Sequence, residues 1–138
     1  MTQTDQLVQK FELPESIIGL RKDDIVHVYI KPHIEITEEY QARQLEVLNK
    51  ITGGKPHPTI YEAGDYVTVG SSARDNAIKL EPITPTLCKV VFVKSLQHKL
   101  ISEFYYKFNK PKQPYRVFTN FEEGIKWLLK TKKELSGK

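Results

Sequence analysis

From Ile25 onward, short runs of β-branched and aromatic residues take turns with segments whose apolar residues recur at helical spacing. IVHVYI gives way to EEYQARQLEVLNKITGG, TIYEA to ARDNAIKL, CKVVFV to SLQHKLISEFYYKFN, and YRVF to FEEGIKWLLK. This order predicts an α/β domain with a mostly parallel sheet, because a helix that carries the chain between parallel strands packs its apolar side on that sheet. The opening differs. SIIGL and IVHVYI flank the polar RKDD, which predicts an antiparallel hairpin at the start of a mixed sheet. A single domain is expected over residues 17–135, preceded by a flexible or irregular segment at 1–16, since 138 residues suit one core.

The element ends carry their own signals. Thr37 is placed to cap the first helix, Glu38 and Glu39 suit its positive start, and Gly53 with Gly54 supplies the left-handed geometry that ends it. Ala42, Leu45, Leu48 and Ile51 are expected on its buried side. Leu96, Leu100, Phe104 and Phe108 recur every four residues in the third helical segment. In the last unit Thr119 and Glu122 have capping-box spacing, with Phe121, Ile125, Leu128 and Leu129 as the buried stripe. Trp127 lies one position off that stripe and is expected to flank the core.

Composition limits the function classes. With 39% hydrophobic and 28% charged residues the chain is of ordinary globular type, and no apolar run nears the roughly 20 residues of a membrane span. Its first ten residues lack the apolar centre of a secretory signal, so a cytoplasmic protein is expected. The net charge of +4 is unevenly divided. Residues 1–69 hold 7 Lys/Arg against 11 Asp/Glu, a net of −4, and residues 70–138 hold 14 against 6, a net of +8. Such a division suits a protein partner or self-association, including a dimer, through long-range attraction. Only four of the cations are arginines, and no strand interleaves aromatic with basic residues, so specific nucleic-acid binding is not expected.

Chemical signatures are sparse. Cys88, the single cysteine, opens an apolar run and reads as a buried thiol. His27, His33, His57 and His98 lack metal-ligand spacing, and no phosphate-binding loop or nucleophile elbow is present, so neither metal, cofactor nor catalysis is expected. The stretch TVGSSARD stands out. Ser72 and Asp75 have the spacing of a capping box, which predicts a helix start, while a serine there is also where a phosphate would meet free backbone N–H groups. Ser71, Ser72 and the outward Arg74 are therefore candidates for regulation or partner binding. Phe104, Tyr105 and Phe108 are candidates for contact with a small apolar ligand, weighed against simple core packing.

KVVFVKSLQHKLISEFYYKFNKPKQPYRVFTNFEEGIKWL, together with VYIKPHIEITEEYQARQ and SSAR, resembles the uncharacterised STAS-like proteins of bacteria, which share the anti-anti-sigma-factor fold and are also grouped with lipid-binding domains. The resemblance covers roughly residues 17 to 130 and is most specific in FNKP, VFTN and GIKWL, taken in that order. It implies a βα superhelix with helices packed on a mixed sheet, and a non-catalytic protein-binding or regulatory module. The rival it implies is a carrier of a lipid-like ligand, with a cavity under the 96–109 helix. In the regulatory members an aspartate precedes a phosphorylated serine that is followed by glycine. Here Gly70 and Ser71 stand before Ser72, and Ala73 follows it.

Overall fold

The computed structural model describes residues 7–94 and 113–136. Their elements are β1 (Leu7–Glu12), β2 (Ser16–Arg21), β3 (Val26–Ile30), β4 (Glu35–Ile36), α1 (Glu38–Thr52), β5 (His57–Ala63), β6 (Thr68–Val69), α2 (Ser71–Leu80), a 3-10 turn at Glu81–Ile83, β7 (Thr86–Phe92), β8 (Tyr115–Phe118) and α3 (Phe121–Ser136). Six strands form one sheet in the order β1-β2-β3-β5-β7-β8, and β4 pairs with β6 in a second, two-stranded sheet. The first three strands are antiparallel and the remainder join in parallel, as a hairpin followed by crossover units requires.

Side chains alternate across the strands, so the sheet has two faces and each carries its own core. On one face Ile18, Val26, Val28 and Ile30 pack with Tyr40, Val47, Leu48 and Ile51 of α1. On the other, Ile25, Ile60, Cys88 and Val90 meet Phe121, Ile125 and Leu128 of α3. Cys88 is buried, as its apolar run predicts, and burial pushes its thiol up to about 11. Trp127 flanks this second core, packed against Phe118 with ring centroids 6.2 Å apart.

Four details differ from the sequence reading. Residues 7–12 are an edge strand and not irregular chain, paired to β2 through a bulge between Leu7 and Gln9; polar side chains on an edge obscure its alternation. Ala42 is exposed, and the buried row of α1 runs through Tyr40, Gln41, Val47, Leu48 and Ile51. Steps of three fall about 60° short of a turn, so a strict three-residue row slides half-way round the helix from residue 42 to 51. Leu129 is 40% exposed for a similar reason, one position past the buried Leu128. Finally, α3 is capped by Asn120, whose Oδ1 accepts from Glu123 N at 3.0 Å, and not by Thr119. The helical segment at 96–109, with Phe104, Tyr105 and Phe108, lies outside the described residues.

Candidate functional site

The helix that follows β6 starts earlier than its capping-box signature predicts. Gly70 is the N-cap, with extended backbone and no side chain to accept a bond, and Ser71 and Ser72 occupy the first turn. Ser72 therefore does not cap, and the reciprocal Ser72–Asp75 box is absent. Both serines and Arg74 are exposed in the first turn of this helix, with Ser72 and Arg74 on either side of the buried Ala73. Glu35 of β4 lies over the same helix start, since a Cβ placed on Gly70 would sit 3.5 Å from Glu35 Oε2. A carboxylate is favourable there, and a phosphate on Ser71 or Ser72 would share the space with a like charge.

This helix start is one side of a platform built at the C-terminal ends of the central parallel strands β3 and β5. Gly64 N donates to Ile30 O at 2.7 Å, His33 N to Asp65 O at 2.8 Å and Thr68 N to Ile34 O at 3.0 Å, which ties the loop after β3 to the loop after β5. The β4/β6 pairing, Glu35 with Thr68 and Ile36 with Val69, completes the tie. Gly64 is needed at the junction because any Cβ there would lie 2.7 Å from Pro32 N.

Two residues of the platform hold left-handed backbone without being glycine, His33 at φ 65° and Tyr66 at φ 62°. Such geometry is unfavourable for residues with a side chain and gathers at working surfaces. Their rings stack with centroids 5.1 Å apart, and Tyr66 is 78% exposed. Exposed carboxylates stand on the same loops and on the helices that follow them, Glu35 and Asp65 in the loops, Glu38 and Glu39 in the first turn of α1 and Asp75 in α2. Sequence reasoning placed His33 beside a proline and missed Tyr66, since backbone sign cannot be read from these residue types. The two-residue β4 and β6 gave no periodic signal either.

Behind the platform α2 is held lightly. Of its residues only Ala73 is buried, and a side-chain relay fastens it to α1: Gln41 Nε2 donates to Ala73 O, and Asn76 Nδ2 donates to Gln41 Oε1, both at 2.8 Å. Ile78 and Ile83 are left exposed on the outer side. Elsewhere, a shallow groove of about 410 Å³ between β8 and α3 is lined by Arg116, Thr119, Glu123, Lys126 and Trp127 among others, with mixed charge. Among the described residues no three His, Cys, Asp or Glu gather as metal ligands, and no helix is long and apolar enough to cross a membrane.

Comparison with known proteins fits this architecture. Residues 18–132 match the model of a family described as a domain of unknown function, DUF7793. The chain belongs to this family. No curated protein matches. Among solved structures, the chain is similar to an uncharacterised protein of the DUF3478 family with a SpoIIAA-like fold, from Shewanella loihica. The TM-score is 0.61 with 14% identity, over 86% of this chain and 97% of the other. That likeness establishes the STAS-like fold for this DUF7793 member, in agreement with the resemblance of its strand and helix sequences.

Proposed function

We propose that this protein is a non-catalytic, cytoplasmic binding module that docks a protein partner on the platform formed by residues 31–37, 64–70 and the first turn of α2. The observation that carries the reading is the Tyr66–His33 stack: a large aromatic ring 78% exposed, in backbone geometry that a free loop would relax. Aromatic anchors of this kind supply contact area at small entropic cost, and the carboxylates of these loops and helices favour a partner that offers cations around an apolar recess. Ser71, Ser72 and Arg74 lie within this surface and serve as contacts. A phosphate on either serine would add negative charge beside Glu35 and so strengthen the attraction of such a cationic partner. Placement in the cytoplasm is part of this proposal, and no helix among the described residues is long and apolar enough to cross a membrane.

A photo-crosslinking residue placed at position 66, compared with one at Lys50 in the last turn of α1, tests this in cells. Position 66 is expected to give a discrete protein adduct that position 50 lacks, and Arg74→Glu in the same chain is expected to alter its yield. Identical adduct patterns from both positions would remove the platform from consideration. The alternative, a carrier of a small apolar ligand, is tested by organic extraction and mass spectrometry of the purified protein. A lipid recovered at near-equimolar ratio would favour it over the docking module.

A further inference from the structure

The middle of the sheet holds an ionisable pair that the platform does not use. His27 on β3 and Glu62 on β5 approach to 3.0 Å, Nε2 to Oε1, with their side chains only 0% and 3% exposed. Register explains the meeting: His27 is opposite Ile60 and Tyr29 opposite Glu62, so the carboxylate lies one pleat along on the same face. That face is the one α3 covers. The imidazole packs on Phe121, the first residue of α3, with centroids 5.4 Å apart. Phe121 in turn meets Phe92 edge-on at 5.5 Å and the Arg21 guanidinium at 5.7 Å. His27 Nδ1 is fully buried with no hydrogen-bond partner among the described residues.

Among the described residues the remaining charged and titratable groups on this face are distributed at its margins, Lys132 of α3 acting on Cys88. Lys10 on β1 and Arg116 on β8 end the row that runs through Gly19, His27, Ile60 and Val90. Glu12 and Tyr29 share the row of Glu62, Glu12 being paired with Lys31. Arg21 of β2 is paired with Asp23, Cys88 of β7 is a buried thiol, and the first turn of α3 brings only the exposed Glu122 and Glu123. His27 and Glu62 thus balance each other's charge. An imidazolium facing a carboxylate, or an imidazole facing a carboxyl group, brings no net charge inside. Losing a proton leaves a buried carboxylate uncompensated, and gaining one leaves a buried imidazolium uncompensated; either is strongly unfavourable away from water.

We propose that the His27–Glu62 pair is a charge-gated joint, which seats α3 on the sheet while the pair is net neutral and loosens it when the pair gains or loses a proton. Phe121 is the coupling element, since it rests directly on the imidazole and begins the helix. The native Cys88 reports the motion because it lies in the same cluster as Phe121, Ile125 and Leu128.

The test is the rate of Cys88 modification by 4,4′-dithiodipyridine between pH 4.5 and 9, divided at each pH by the rate for glutathione, with circular dichroism confirming the fold. For the wild type a minimum is expected at intermediate pH, with a rise of about tenfold on both sides. In Glu62→Gln the pair is neutral whenever the imidazole is, so the alkaline rise disappears and only a rise on the acid side remains. In His27→Gln neutrality requires a protonated Glu62, so labelling is slow only in acid and rises with pH. The two single variants therefore slope in opposite directions. The double variant His27→Gln/Glu62→Gln is neutral throughout and is expected to fold and label slowly at every pH, which covers failure of either single variant to fold. A flat wild-type profile, single variants that both follow the wild type, or a double variant that is unfolded or keeps the wild-type profile would each overturn the joint.

Discussion

Ser72 shows how a residue can satisfy a motif and still not do what the motif describes. The S-x-x-D spacing is present, yet the helix extends through Ser71 and takes Gly70 as its cap, so the Ser72 hydroxyl faces solvent in the first turn. Ser72→Ala is therefore expected to change stability by less than about 0.5 kcal/mol, as exposed substitutions do. Asn120, which no spacing rule singled out, accepts from Glu123 N and should lose about 1 kcal/mol on replacement by alanine. Urea midpoints of the two variants decide the comparison; a destabilised Ser72→Ala beside a neutral Asn120→Ala would reverse the assignment. Charge at this scale acts through surface pairs. Hydrogen bonding to Lys31 and to Arg43 holds the carboxyls of Glu12 and Glu15 below the usual range. Groups lowered in the folded state add stability above their unfolded value and lose it as pH falls through the folded one. Acidification below about pH 4.5 should accordingly weaken the protein, and 1 M salt should shrink that loss by screening. A stability that falls as steeply in acid at 1 M salt as at low salt would count against these pairs.

Elements divide by how strongly periodicity speaks in them. The hairpin, α1, β5, β7, β8 and α3 were all legible, because apolar residues in them repeat at a spacing that burial demands, and Thr37 and Gly53 mark α1 as the sequence suggests. The edge strand β1 was hidden because LVQKFE interleaves polar side chains, and β4 and β6 are too short for any repeat to show. What fixes these last two is tertiary contact, above all the close passage of Gly64 against Pro32. Gly64→Ala should force the loops after β3 and β5 apart, since its Cβ would fall 2.7 Å from a backbone nitrogen that has nowhere to retreat. Gly70→Ala makes the useful contrast, meeting only Glu35 Oε2 at 3.5 Å. Amide exchange at Thr68 and His33, which donate across the platform, should quicken at least tenfold in Gly64→Ala and change little in Gly70→Ala. Unchanged protection in Gly64→Ala would mean that the platform is not held by this contact.

At the level of the whole molecule, one six-stranded sheet carries two core clusters that share no residue among those described. Composition and alternation made a mixed α/β sheet legible, and the sequence resemblance supplied its STAS-like arrangement; neither could show that His27 of IVHVYI would meet Glu62 of TIYEA, because that pairing depends on parallel register between distant strands. The same sheet determines how the molecule should unfold. Leu48 is 2% exposed on the α1 face and Leu128 is fully buried on the α3 face, and both fill well-packed sites. Leu48→Ala and Leu128→Ala are each expected to lose about 3 kcal/mol, within the range for leucine deletions in a core. Since their clusters share no residue, the double variant should lose the sum within about 0.5 kcal/mol. More informative is the shape of the transition. Strand β5 contributes to both cores, Tyr61 on the α1 side and Ile60 on the α3 side, and it is hydrogen-bonded to β3 and β7, so neither core can melt and leave the other's strands in place. Far-ultraviolet circular dichroism and Trp127 fluorescence should therefore report one coincident transition in each single variant, even though Trp127 lies on the α3 face alone. A Leu128→Ala protein whose fluorescence transition comes well before its loss of secondary structure would show that α3 detaches as a separate unit.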